Sequence, residues 1–228
     1  MDSPGAVIAS PVMDVPHGFL TGPQSDEEAY GLVGGDVPSV FLDQIHSARV
    51  VSVREPFDEN VSLQADGMVT DRGGVKLAIV TADCAPVLLA DKGAGVIGAA
   101  HAGWRGAVGG VVENTVEAMV ALGARAHHIV AAIGPCIHQK SYEVDDAMRA
   151  AFALGDRDFF APGRPGHWQF DLPGYVSARL QCSGVDAVDV LPHDTYAEPD
   201  RFHSYRRATH SGTSTKGRQV SLIALRAS

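Results

Sequence analysis

Three residues in the first half of the chain have side chains that suit a single site. They are His46 in Gln44-Ile45-His46-Ser47, Cys84 in Thr81-Ala82-Asp83-Cys84-Ala85-Pro86, and His101 in His101-Ala102-Gly103-Trp104-Arg105-Gly106. Imidazole nitrogen and thiolate sulfur are the donors that a borderline-soft ion such as zinc takes, and three of them leave a fourth position open for water or substrate. Each residue also has a plainer reading: Cys84 as a small buried hydrophobe, His46 as a surface histidine, His101 as a satisfied core histidine. The spacings lack the specificity of a local motif such as His-Glu-x-x-His, so the three gain weight only jointly.

Other residues could complete such a site. Trp104 and Arg105 lead directly into a helical pattern, where a helix start and a guanidinium could hold an anion; otherwise Trp104 packs and Arg105 is solvated. Asp66 and Asp83 could orient histidine ligands or simply cap turn N–H groups. The run Phe202-His203-Ser204-Tyr205-Arg206-Arg207 could clamp a planar, anionic ligand through Tyr205 and Arg206, although a half-exposed strand explains the same pattern. Cys136, after Ile133-Gly134-Pro135, suits packing as well as chemistry.

These residues need elements to place them. Apolar runs over 50–53, 75–80, 87–90, 96–100 and 129–133, each bounded by Gly, Pro or Asp, predict buried strands. Two of those strand ends, of 75–80 for Cys84 and of 96–100 for His101, would bring the pair to one sheet edge, with His46 arriving from a separate segment. The clearest helix starts near Ala107, with Val108, Val111, Val112, Thr115, Val116, Met119 and Val120 on one stripe, and ends at Gly123. Further helices are expected over 145–152 and from Pro173 to Gly184, and strands over 187–191 and 220–225. His127-His128 should open a strand, and 22–35 and 155–166 should be long loops. Strands outnumber helices without a regular βαβ alternation, which predicts an α+β fold with mixed sheets.

Composition narrows the function classes. The 228 residues suit one domain over 1–228, and 45% hydrophobic content can fill its core. With 18 Lys+Arg against 27 Asp+Glu the net charge is −9, and no basic run would neutralise a phosphate backbone or an anionic bilayer. Nucleic acid and membranes are therefore not expected as partners. Without a basic and apolar leader pattern, and with three irregularly spaced cysteines, a cytoplasmic, reduced protein is expected.

In order along residues 44–218, the strings quoted above for His46, Cys84 and His101, together with Ala65-Asp66-Gly67, Ile133-Gly134-Pro135, Tyr142-Glu143-Val144, Ser204-Tyr205-Arg206-Arg207 and Gly217-Arg218, resemble the multicopper polyphenol oxidase (laccase) domain family. Its members are now regarded as zinc-dependent purine nucleoside phosphorylases. The resemblance implies one α+β domain of layered mixed sheets flanked by helices, α/β/β/α-like and related to bacterial deamidating-toxin folds. It implies His46, Cys84 and His101 as metal ligands. It further implies phosphorolysis of adenosine, inosine, guanosine and methylthioadenosine, with adenosine deamination, by a monomer or small homo-oligomer; some bacterial relatives are described as peptidoglycan precursor editing enzymes. Two departures stand out. Phe19-Leu20-Thr21-Gly22-Pro23 lacks the Thr-Arg pair usual in the family, and Asp194-Thr195 replaces its Cys-Thr.

On this reading zinc is the cofactor, Arg105 holds phosphate, Trp104, Tyr205 and Arg206 contact substrate, and Asp83 protonates the leaving base. Copper is the alternative metal, but laccase chemistry needs His-rich clusters, and the ten histidines include no His-x-His. A cysteine hydrolase, with Cys84 as nucleophile and His101 as base, is a further alternative, and a non-enzymatic binding module is another.

Overall fold

The computed structural model describes residues 7–22, 27–55 and 63–226. In chain order its elements are β1 (Val7–Ile8), β2 (His17–Leu20), α1 (Glu27–Tyr30), β3 (Ser39–Val40), β4 (Val50–Ser52), β5 (Gly67–Thr70), β6 (Lys76–Thr81), β7 (Ala85–Asp91), β8 (Val96–Ala102), α2 (Trp104–Gly109), α3 (Val111–Ala121), β9 (Val130–Ile133), β10 (Glu143–Asp145), α4 (Asp146–Ala150), β11 (Phe160–Pro162), β12 (His167–Phe170), α5 (Leu172–Cys182), β13 (Ala187–Val190), α6 (Tyr205–Ser211) and β14 (Gln219–Ala224).

The strands form three sheets: six strands in the order β13-β9-β7-β8-β5-β4, five in the order β1-β2-β14-β6-β3, and three in the order β10-β12-β11. Alternation along β7 and β8 explains the layering. Val87, Leu89, Val96 and Ala100 pack with α3 and α5 residues such as Val112, Met119, Val176 and Leu180. Leu88, Ala90, Ile97 and Ala99 face the opposite way, onto Phe19, Leu77, Ile79 and Ile223 of the five-stranded sheet. A strand buried on both faces reads as a continuous apolar run, which is why these segments were legible. The far face of the five-stranded sheet carries Leu20, Ala78 and Leu222 under Ala29 and Val33. The result is the expected α+β fold of layered mixed sheets flanked by helices.

Local expectations fare unevenly. The helix expected from Ala107 to Gly123 is two helices, because Gly110 adopts φ +96° between α2 and α3; glycine takes that conformation without a Cβ clash. Val120, placed on the buried stripe, is exposed. His127 and His128 sit in a 3₁₀ turn before β9 rather than in it. Segment 155–166, expected as loop, contains most of a 3₁₀ turn and β11. In 22–35, α1 interrupts the expected loop, and residues 23–26 lie outside the described residues. The 202–207 segment is no strand: Ser204 caps α6, its Oγ accepting from Arg207 N at 3.1 Å.

Candidate active site at a His-Cys-His cluster

Antiparallel pairing of β7 with β8 sets Ala85 opposite Ala102 and Pro86 opposite His101, so Cys84, one residue before β7, arrives beside His101. Pro86 lies inside β7. His46 comes from the loop between β3 and β4. The three potential donor atoms lie within 4.8 Å of one another, with Cys84 Sγ 3.8 Å from His46 Nε2. The two imidazole rings meet edge to face at 4.8 Å.

Asp66, fully buried, organises the cluster. Its Oδ1 accepts from His101 Nδ1 at 2.8 Å and from His46 N at 2.9 Å. Oδ2 accepts from Ile45 N at 3.2 Å, Ser47 N at 2.6 Å and Ser47 Oγ at 2.8 Å. Asp66 is therefore both the histidine orienter and the turn cap. The bond to His101 Nδ1 leaves Nε2 as the donor atom, and the N–H bonds hold His46 at φ +60°, a backbone region sparsely used by non-glycine residues.

The electrostatics follow from these contacts. Burial pushes the Asp66 carboxyl up, but hydrogen bonds from His101 and Ser47 outweigh it and hold the group at about 2. Burial likewise raises the Cys84 thiol, and hydrogen bonds and charge from His101 and then His46 bring it down to about 6. Burial lowers His101, while Asp66 and Cys84 together lift it to about 9. Asp66 and a Cys84 thiolate thus share the charge of the histidine between them.

Two imidazole nitrogens and a thiolate at these separations fit a tetrahedral ion with bonds of about 2.0–2.3 Å and one position left open. Gly103 fits the same picture: a Cβ there would stand 2.8 Å from His46 Cδ2 and 2.9 Å from Cys84 Sγ. Among the described residues, this is the one group of three or more His, Cys, Asp or Glu side chains close enough to hold an ion. His127 and His128 are not part of it.

A cleft of about 640 Å³ is lined by Trp104, Arg105, Tyr142, Glu143, Met148, Arg206 and neighbours. The Trp104 ring stacks on Phe152 at 6.3 Å, and the Arg105 guanidinium lies 4.5 Å from the Trp104 centroid. Arg206 donates from Nη1 to Glu143 O at 2.7 Å and lies over the Tyr142 ring. The structure thus brings Trp104, Arg105 and Arg206 to one cleft. The helix start contributes less than expected, because α2 has only six residues. Tyr205 is exposed and does not line this cleft. Sequence reasoning gave Tyr142 no role, although its Tyr-Glu-Val string was visible; its phenol is pushed up by burial and then by the charge of Cys84.

Asp83 is buried; its Oδ1 accepts from Thr195 Oγ1 at 2.7 Å and its Oδ2 from Arg206 N at 2.6 Å, so each carboxylate oxygen already takes a hydrogen bond. Asp194, in place of the family cysteine, accepts from Ser141 Oγ at 2.6 Å and pairs in a parallel bridge with Cys136. Burial, then the charge of Asp194, raises the Cys136 thiol well above its ordinary range. Cys136 is packing.

Among the described residues no helix is long and apolar enough to cross a membrane. A family model described as multi-copper polyphenol oxidoreductase laccase matches residues 27–226. A protein of Mycobacterium tuberculosis named purine nucleoside phosphorylase is 42% identical over 188 residues, covering 81% of this chain and 72% of its own length. One of the same name from Deinococcus radiodurans is 38% identical over 235 residues, covering 91% and 90%. YlmD from Geobacillus stearothermophilus, at 24% identity, superposes with a TM-score of 0.85 over 99% of this chain and 98% of its own, a likeness of fold. A Neisseria meningitidis structure at 36% identity gives 0.76 over 84% and 76%. On the extent of the family match and the identity to these relatives, the chain belongs to the multi-copper polyphenol oxidoreductase laccase family.

Proposed function

We propose that this chain is a zinc-dependent purine nucleoside phosphorylase that also deaminates adenosine, with adenosine, inosine, guanosine and methylthioadenosine as substrates. The observation that carries the reading is the His46–Cys84–His101 cluster, oriented by Asp66, in a chain with an aromatic and cationic cleft. The names of the relatives support the same activity. Zinc held by His46, Cys84 and His101 would supply a Lewis acid with one open position.

The chain's own groups account for the rest. Trp104 and Tyr142 offer aromatic faces to a planar base, and the Arg105 and Arg206 guanidinia bring charge and directed donors to phosphate. In phosphorolysis the bond from ribose C1′ to the purine nitrogen breaks, a bond from C1′ to a phosphate oxygen forms, and the base leaves with a proton. Orientation of phosphate against C1′ is where these residues contribute most. The reading takes the chain as one domain, cytoplasmic, a monomer or small homo-oligomer, with purine nucleoside and phosphate as its partners. Polyphenol oxidation has less support, since several copper centres would need more clusters than the one found among the described residues.

A second reading rests on the Cys84 thiol, brought down to about 6 beside His101: a cysteine amidase acting on peptidoglycan precursors, in which the free thiolate attacks a carbonyl. Product analysis separates the two. Incubation with adenosine and phosphate should release adenine and ribose 1-phosphate, with inosine as a slower product, and Arg105→Ala should raise the KM for phosphate about tenfold. Amide cleavage by metal-stripped protein, without base release, would overturn the phosphorylase reading in favour of the amidase.

A further inference from the structure

Asp83 and His46 are the two non-glycine residues at positive φ among the described residues, and both adjoin or belong to the ligand cluster. His46 is held by Asp66. Asp83, at φ +85°, is held by its own buried contacts: Thr195 Oγ1 and Arg206 N on its two carboxylate oxygens, and Ile137 N on its carbonyl oxygen at 2.9 Å. It is also the residue immediately before Cys84. One side chain therefore ties the cysteine loop to the start of α6 and to the segment around Thr195.

We propose that Asp83 is a positioning residue that fixes the Arg206 guanidinium relative to Cys84, and so sets how phosphate is presented to the reacting centre. This rests on the reading that Arg206 meets phosphate. Helix α6 has only seven residues, too few to hold its own place in water, so its tethers decide where Arg206 stands. Asp83 holds the Arg206 backbone, and Glu143 O holds its side chain. Removal of the carboxylate leaves the Arg206 N–H and the buried Thr195 hydroxyl without their acceptor, and the helix start must shift or take in water to satisfy them. A misplacement of about 1 Å can cost up to a hundredfold when orientation is the source of rate.

Two substitutions separate the carboxylate from the backbone. Asp83→Gly keeps the positive φ without a Cβ penalty but deletes the acceptor; Asp83→Asn tolerates the same φ and retains an acceptor for Arg206 N. Titration calorimetry with inorganic phosphate, on protein with measured metal content, should show Asp83→Gly weakened about tenfold and Asp83→Asn within about threefold of wild type. Metal content should be unchanged in both. Arg206→Ala should lose as much as Asp83→Gly, and the double variant should be no worse than Arg206→Ala alone, since coupled residues do not add.

Wild-type affinity for phosphate in Asp83→Gly, losses that multiply in the double variant, loss of metal alongside the loss of phosphate, or no phosphate binding by wild type would each overturn the proposal. Phosphate binding with the expected variant pattern but no nucleoside turnover would remove the phosphorylase reading and leave the Asp83 role standing.

Discussion

At the scale of single residues, the site depends on one carboxylate. Asp66 sits 35 positions from His101 in sequence and meets it at 2.8 Å; both roles weighed for it from sequence, orienter and cap, are filled at once, by different hydrogen bonds. That contact is tertiary, and no local spacing reveals it. The same is true of Asp83, whose partners Thr195 and Arg206 lie more than a hundred positions away. The electrostatics give a residue-scale prediction. His101 is lifted to about 9 and so stays charged across neutral pH, keeping the Cys84 thiolate favoured from about pH 6 upward. In metal-stripped protein, alkylation of Cys84 by iodoacetamide should therefore rise with a midpoint near pH 6, while Cys136, buried and raised, stays unreactive until the protein unfolds. A Cys84 midpoint near the ordinary thiol value would show that the imidazoles do not hold the thiolate.

At the scale of elements, strand register and a glycine bring the three donor side chains together. The apolar runs of β7 and β8 are legible because both faces of these strands are buried, but the 75–80 run that precedes Cys84 in sequence lies in the five-stranded sheet; the start of β7 is what brings Cys84 to His101, and that register depends on which strands pair. The helix after His101 was read as continuous because its apolar stripe is regular, and the break at Gly110 is a backbone event that the stripe does not encode. Gly103 carries the sharpest element-scale prediction. A methyl group there would meet His46 and Cys84 at under 3 Å, so Gly103→Ala should displace both donors. Metal content should fall well below one equivalent per chain while far-ultraviolet circular dichroism stays that of wild type. Full metal content in Gly103→Ala would mean that the three residues are not held in the geometry described.

At the scale of the whole molecule, the two large sheets are packed face to face, and the segments that carry His46, Cys84 and His101 meet where β7 begins and β8 ends. Sequence reasoning reached the α+β class and seven of the fourteen strands, yet left the pairing of β14 with β2 and β6 unassigned, because strands far apart in the chain carry no mark of which partners they take. Tyr142 lines the cleft, a placement that no periodicity in its own segment reveals. The central claim is that one ion in this cluster serves phosphate-dependent cleavage of a purine nucleoside. Its most direct test strips the protein of metal, returns zinc in steps, and measures base release with and without phosphate. Activity should need phosphate, climb linearly to a plateau at one zinc per chain, and be absent at every zinc level in Cys84→Ala. Undiminished turnover after stripping, or base release that ignores phosphate, would contradict it.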